Sequence, residues 1–300
     1  MTSVRFLVLA GGKSAEREVS LRSGACVAAA LQAAGHQVRQ IDPRDQSMAR
    51  LNAEEIDVAI PLVHGTGGED GVLLKRLKAA GIGWVGSSIA ASELTFDKIR
   101  TNQFLRREGL PVPDHVVVDR SIPPDQVHQQ LVQLGYPVVT KPPRQGSSIG
   151  ITIVADLDEL PSGLDAAYNF GDECLIERFI PGREMTVAIC DQRAFPVIEI
   201  HPAAWYDYQS KYHDDQTRYE VDQSPAALEL QQLALQACRL CGTSGISRVD
   251  LRVDPDGNPF VLEINTVPGM TDHSLVPMAA EATGLSLSEL WEHAAAGTWR

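Results

Sequence analysis

Asp250, Glu263 and Asn265 bring three oxygen-bearing side chains into two short apolar runs, SRVDLRV at 247–253 and FVLEIN at 260–265. Asp256 and Gly257 between the runs supply a hairpin turn. Alternation with period two places Arg248 and Asp250 on one face, and Glu263 and Asn265 likewise on one face. Hard oxygen donors from neighbouring strands suit Mg²⁺, which takes one or two carboxylates together with phosphate oxygens and water. Each acid stands among Val, Leu and Ile, so burial is expected rather than a solvated acidic hairpin. A buried carboxylate then requires a cation or a hydrogen-bond donor.

A second group is the lysine and small-residue loop KPPRQGSSIG at 141–150. Backbone N–H groups of such a loop can point at phosphate oxygens, and glycine permits their close approach. A plain hairpin with a solvated Lys141 explains the same residues equally well. The polar stretch GMTDHSL at 269–275 offers hydroxyl and N–H donors for a carboxylate or a tetrahedral oxyanion, or is simply a connecting loop. WYDYQSKYHDD at 205–215 mixes aromatic and charged residues without glycine, which fits either a segment that closes over a ligand or an interface patch.

Two familiar motifs lead nowhere. GIGWVG at 81–86 matches G-x-G-x-x-G but follows a helical segment, whereas a dinucleotide fingerprint follows a strand and opens a helix. Its glycines are expected to stop a helix and turn into a strand. Cys238 and Cys241 form C-x-x-C without the second pair that zinc requires, and are expected on one buried helix.

The elements that must position these groups follow from hydrophobic periodicity. A strand at 4–10, a glycine turn and a helix from Ser14 to Gly35 form a β-α unit, and the runs at 57–63 and 72–80 repeat it. A parallel sheet over residues 1–95 is the expected result. Helix 97–109 ends at Gly109 before Pro111 and Pro113. Strands near 115–118, 136–141, 149–154 and 174–177 alternate with helices near 124–134 and 156–168, giving a small α+β domain over 96–182. The remaining residues, 183–300, carry strands near 184–190, 194–200, 247–253 and 259–264, covered by helices at 226–241 and 276–296.

Composition sets the outer limits. With 300 residues, 44% hydrophobic and 22% charged, the chain has the mix of an ordinary globular protein, neither disordered nor fibrous. Its net charge of -13 argues against nucleic acid or an anionic membrane as a partner, so any bound anion needs a local basic pocket. No apolar run reaches the roughly 20 residues of a membrane span, and the start lacks the features of a secretory signal. Five scattered Cys residues suit a reducing compartment, and a cytoplasmic protein is expected.

Taken together and in order, GGKSAEREVSLRSG (11–24), HGTGGEDG (64–71), TFDK (95–98), TKPPRQGSSIG (140–150), YDYQSKY (206–212), SRVDLRV (247–253) and LEINTVPGMTDHSLVP (262–277) resemble the ATP-grasp enzymes, and within them the D-alanine–D-alanine ligase family. The resemblance covers nearly the whole chain. It implies an ATP-grasp fold of three domains, a Rossmann-like parallel sheet followed by two α+β lobes that sandwich ATP. It also implies a homodimer.

Carried over motif by motif, the resemblance gives Lys98, Lys141 and Lys211 to the ATP phosphates, with Ser147 and Ser148 covering them. Glu177, Arg178, Phe179 and Ile180 stand at the adenine, Glu184 at the ribose hydroxyls, and Trp205 also at the nucleotide. Asp250, Glu263 and Asn265 hold two Mg²⁺ ions, for which Mn²⁺ can substitute. Glu16 pairs with the ammonium of the first D-alanine, and is expected in the first turn of a helix, where an acid is also favoured. His64 neighbours the first substrate's carboxylate, while Ser274 and Lys211 meet that of the second. Arg248 and the Gly269 N–H serve the oxyanion. Tyr212, linked to Glu16 through Ser147, resembles the dipeptide-forming rather than the ester-forming members. Departures are small: Val63, the TKPP run at 140–143 and Thr266-Val267 differ from commoner residues, and Pro143 stiffens the loop. A sibling ATP-grasp ligase, a dehydrogenase using 81–86 and a catalytically silent nucleotide sensor are the competing readings.

Overall fold

The computed structural model describes residues 3–45, 51–201 and 217–296. Three sheets follow one another along the chain. Strands β1 (Arg5–Leu9), β2 (Gln37–Ile41) and β3 (Val58–Pro61) form a parallel sheet in the order β2-β1-β3. Helix α1 (Arg17–Ala33) makes the first crossover, and Val19, Ser20, Ser23, Val27 and Leu31 recur on its buried stripe. Gly24 is required there, because a Cβ would lie 2.4 Å from that of Ala10.

Helices α2 (Val72–Ala79), α3 (Ile89–Phe96) and α4 (Lys98–Arg107) follow. The fingerprint-like glycines behave as the sequence implies: Gly81, at φ +71°, ends α2, and Trp84 then bridges in parallel to Ala59. Asp97 caps α4 by accepting the Arg100 N–H at 3.1 Å, which sets Lys98 as the first helical residue.

The second sheet has the order β4-β7-β5-β6, all antiparallel: β4 (His115–Asp119), β5 (Val138–Lys141), β6 (Thr152–Val154) and β7 (Glu173–Arg178). Helices α5 (Pro124–Leu131) and α6 (Leu160–Tyr168) cover one face. The third sheet runs β11-β10-β8-β12-β13 with β9 beside β8: β8 (Arg183–Cys190), β9 (Arg193–Ala194), β10 (Ile198–His201), β11 (Arg218–Val221), β12 (Ile246–Val253) and β13 (Pro259–Asn265). Helix α7 (Ala227–Cys241) packs on it with Cys238 and Cys241 both buried and free, as the sequence implies.

The expected helix at 276–296 is two helices, α8 (Leu275–Glu281) and α9 (Leu287–Ala295). Gly284 at φ +79° ends the first, and a Ser286–Glu289 capping box opens the second. Leu290 and Trp291 of α9 enter one core with β1, α1 and β8. Helix α4 likewise packs away from the second sheet: Leu105, with Leu110 and Val112 after it, joins the core of β8, β12, β13 and α7.

Candidate active site

The hairpin of β12 and β13 is the floor of the site. Asp250 pairs in register with Glu263 and Arg248 with Asn265, and the register shifts between Asp250 and Leu251. Both acids are half-buried rather than fully enclosed: their side chains are 13% and 25% exposed, and each faces a cation. Arg248 grips Asp250 with two bonds, Nε to Oδ1 at 2.8 Å and Nη2 to Oδ2 at 2.7 Å, and Thr186 donates to Asp250 Oδ1 at 2.7 Å. Lys98 Nζ lies 3.0 Å from Glu263 Oε2 and donates to the Gln145 carbonyl at 2.7 Å. Burial alone would lower the Lys98 ammonium, but Glu263, Glu69 and Glu16 outweigh it and hold it above its ordinary value. Asn265 accepts the Val267 N–H on Oδ1 at 2.9 Å, which fixes the start of the 266–270 loop and leaves that oxygen a second lone pair.

Two cavities open from this floor. The larger, about 430 Å³, is bounded by Arg22, Glu69, Gln145, Ser147, Arg248 and Ser274 among others. A smaller one of about 70 Å³ lies between the second and third sheets, with Val139, Lys141 and Ser148 on one side and Arg252 and Leu262 on the other. Phe179, Ile180 and Arg178, from the connection between the sheets, line it too. The two cavities share four residues: Lys98, Glu184, Asp250 and Glu263. A ligand extending through both therefore passes the Lys98 ammonium and the two floor carboxylates.

The loop at 142–151 closes the β5–β6 hairpin, so the hairpin half of the sequence reading is correct. It is not a relaxed loop, because Ser147 and Ser148 both hold left-handed backbone, at φ +51° and +59°. Its reach is the informative part. Ser147 Oγ hydrogen-bonds Glu16 Oε1 across to the first sheet, and the Pro143 carbonyl accepts the Lys98 N–H at 2.9 Å. Lys141, 7% exposed on β5, is ion-paired with the buried Glu177 of β7, which also accepts from Asn102 Nδ2 at 2.5 Å. Lys141 and Glu177 thus enter the small cavity as a neutralised pair.

Glu16 departs from expectation in place. It is the residue before α1 rather than part of its first turn, and its side chain makes no cap bond. Its carboxylate sits instead in a cradle of Gly65 and Gly146, where a Cβ would come within 2.5 and 2.7 Å of Oε2. The side chain is covered by the 142–151 loop, behind the wall of the large cavity rather than on it.

His64 also lies behind that wall, 3% exposed. The Val267 carbonyl, 2.8 Å from Nδ1, accepts its proton, so Nε2 accepts from Ser23 Oγ at 3.2 Å, and Ser23 Oγ in turn accepts the Met270 N–H at 3.1 Å. Burial pushes the imidazole down to about 4, so it is neutral. His64 therefore ties the 266–270 loop to α1. On the cavity wall itself, Gly269 and Ser274 converge, since a Cβ on Gly269 would meet Ser274 Oγ at 2.8 Å. Ser274 Oγ accepts the Thr271 N–H at 2.9 Å.

The site thus gathers Lys98, Lys141, Ser147, Ser148, Glu177, Arg178, Phe179, Ile180, Glu184, Arg248, Asp250, Glu263, Asn265, Gly269 and Ser274 along the two cavities. Trp205, Lys211 and Tyr212 lie outside the described residues. Sequence reasoning left Glu69 without a task. It is an acid of the cavity wall that burial, and then the neighbouring Glu16, push up to about 8. The His64 imidazole 3.9 Å away is neutral and offers that acid no compensating charge. An acid within the glycine-rich HGTGGEDG turn was the available signal.

Known proteins decide what this arrangement belongs to. The family model for the D-Ala D-Ala ligase C-terminus matches residues 104–294. A D-alanine–D-alanine ligase of Stutzerimonas stutzeri is 46% identical over 290 residues, 95% of this chain and 91% of that protein. The chain belongs to the D-alanine–D-alanine ligase family. Among solved structures, the D-alanine–D-alanine ligase of Bacillus anthracis complexed with ATP superimposes with a TM-score of 0.83 at 34% identity, covering 98% of this chain and 96% of that one. The VanG D-Ala:D-Ser ligase of Enterococcus faecalis gives 0.85 at 27% identity, over 98% and 99%. The fold is accordingly that of an ATP-grasp ligase, and the three sheets are its framework.

Proposed function

We propose that the protein joins two D-alanines into D-alanyl-D-alanine at the expense of ATP, releasing ADP and phosphate, for peptidoglycan precursor synthesis. The observation that carries this reading is the junction of the two cavities at Lys98, Glu184, Asp250 and Glu263. The small cavity suits the nucleotide, with Glu177 to Ile180 at the base, Glu184 at the ribose and Lys98, Lys141 and Lys211 at the phosphates. The large one suits two amino acids. We divide the chain at 95/96 and 182/183, with α4 packed across onto the third sheet.

A carboxylate oxygen of the first D-alanine attacks the γ-phosphorus, and the bond to the bridging oxygen of ADP breaks. Both reactants are anionic, so cations must screen them as they approach in line. Lys98 stands at the cavity junction for that purpose. The amine of the second D-alanine, once it has lost a proton, attacks the acyl phosphate carbonyl, and phosphate leaves with the bonding pair. Arg248 and the Gly269 N–H line the large cavity as donors for the oxyanion. Glu16, from behind the cavity wall, orders the 142–151 loop through Ser147 and sets the negative charge toward which the first ammonium is drawn. Ser274, with Lys211, meets the carboxylate that survives in the product.

The floor fits divalent metal. Asp250 and Glu263 present carboxylate oxygens and Asn265 its amide Oδ1, and the two acids already hold cationic partners, Arg248 and Lys98. Two Mg²⁺ ions, or Mn²⁺, would be held by these three residues and would supply charge neutralisation to the phosphates. Tyr212 supports an amine rather than a hydroxyl as the second nucleophile. We also read the protein as a cytoplasmic homodimer, on the family resemblance; among the described residues no helix is long and apolar enough to cross a membrane.

Incubation with ATP, Mg²⁺ and D-alanine, with phosphate and the dipeptide both measured, tests the reading. Phosphate in equal amount to D-alanyl-D-alanine is expected. Turnover that requires D-serine or D-lactate as second substrate instead would move the protein to a sibling activity.

A further inference from the structure

Arg252 is the residue of the small cavity whose presence the proposed reaction does not explain. It stands on β12, paired in register with Glu184 of β8 and Phe260 of β13, and its side chain is only 13% exposed. Burying a guanidinium is costly unless its donors are used. Its contacts are directed. Nη1 donates to Glu184 Oε2 at 3.3 Å, Nη2 donates to the Gly182 carbonyl at 2.9 Å, and the guanidinium carbon lies 5.3 Å from the centre of the Phe179 ring. Nε is buried with no hydrogen-bond partner among the described residues.

A role confined to strand cohesion does not account for this choice. β8 and β12 are already joined in register from Arg183 to Cys190, and a buried apolar side chain would pack there without an orphaned N–H. What Arg252 adds is a fixed position for three groups that the ladder does not control. Phe179 and Gly182 belong to the short connection between β7 and β8, the strap that joins the second and third sheets. Glu184 is one of the four residues where the cavities meet. The planar fork reaches all three at once, which the single ammonium of lysine cannot do.

We propose that Arg252 is a positioning residue for the nucleotide: it locks the 179–182 strap and the Glu184 carboxylate into the geometry that receives base and ribose before ATP arrives. The proposal rests on the assignment of the small cavity to a nucleotide. Pre-forming the cleft lowers the ordering cost of binding and leaves the chemical step, built at Lys98 and Glu263, as it was.

The test compares Arg252→Met, Arg252→Lys and Phe179→Leu with the double variant Arg252→Met/Phe179→Leu, by steady-state kinetics and by calorimetric titration with ADP. Arg252→Met should raise KM for ATP and Kd for ADP by roughly 10-fold, the scale of a lost charge-assisted contact and a lost cation–π contact. Both KM values for D-alanine and kcat should stay within about twofold. Arg252→Lys should recover less than half of the loss. The double variant should lose less than the product of the two single effects, because part of what Phe179 contributes runs through its contact with Arg252. Unchanged nucleotide constants would overturn the proposal, whatever happens to Tm. So would a loss confined to kcat, or strictly additive effects in the double variant. Titration with ADP needs no D-alanine, so a wrong substrate assignment would leave this result readable. An ADP that binds nowhere near the cleft, leaving all variants alike, would overturn it.

Discussion

The second sheet keeps a core to itself, whereas the first and third sheets share one. Val118, Val127, Leu131, Leu160, Leu164 and Ile176 close on each other within residues 118–176. By contrast Val8, Leu31, Phe195, Ile246, Leu290 and Trp291 form one cluster from both ends of the chain. The large cavity therefore has walls set chiefly by one apolar unit, with the 142–151 loop as its cover. The small cavity lies between two separately packed units, tied by polar links such as Arg144 to Asp97 at 2.8 Å and Lys98 to the Pro143 carbonyl. Apolar burial welds, while a few polar contacts leave the second unit free to adjust around a ligand. The walls of the large cavity are thus fixed chiefly by apolar burial, and those of the small one by polar contacts between two packed units.

The sharpest way to break this comparison is at the junction itself. Glu263→Gln should lower kcat by about 100-fold or more while ADP still binds, because it uncouples Lys98 from the floor and removes one of the oxygens proposed to hold metal. An unchanged phosphate-release rate would remove Glu263 from the chemistry. Next come the two cores. Trp291→Ala should cost about 3 to 5 kcal/mol of stability and abolish D-alanine turnover together with the main unfolding transition. Leu131→Ala, at about 2 to 5 kcal/mol, should weaken the second unit alone. It should show as poorer ATP binding and an early transition in calorimetry; one shared transition for both variants would refute the separation.

Titration sharpens the large-cavity half. His64 is depressed to about 4 from an ordinary 6.5, so its contribution is present above pH 6.5 and is lost as pH falls toward 4. Glu69 is raised from 4.5 to about 8, so its contribution is present below 4.5 and is lost as pH rises through 8. Melting curves from pH 4 to 9 should therefore lose their acid limb partly in His64→Gln and their alkaline limb partly in Glu69→Gln. Wild-type slopes in both variants would contradict the burial argument. The smallest effect is expected at Arg144→Ala. Its side chain is 57% exposed, so stability should change by less than about 1 kcal/mol, with a modest rise in KM for ATP as the link to Asp97 is lost.

The alternating elements were legible because each buries one face against a sheet, and such periodicity survives in a single sequence. Strand β2, with only Ile41 fully buried, carries no such pattern and was missed. The merged helix at 276–296 has the same cause, since an apolar stripe continues on both sides of Gly284. At the site, the floor hairpin could be read because alternation is local. The cradle that places Glu16 beside Ser147 joins residues 131 positions apart, and no local rule reports it.

Residue types and their order determined by themselves the β-α unit, the hairpin of oxygen donors, the absence of a dinucleotide fingerprint and the family. Those depend on neighbours along the chain or on motifs preserved as strings. Only the tertiary structure decided that His64 holds a loop rather than lining the cavity, that Arg248 and Lys98 occupy the floor acids, and that Arg252 braces the strap. Each of these turns on which charged groups share a volume from which water is excluded. That is a property of packing across hundreds of residues, and the pairing that lowers the energy there is fixed by distance in space, not by position in the sequence.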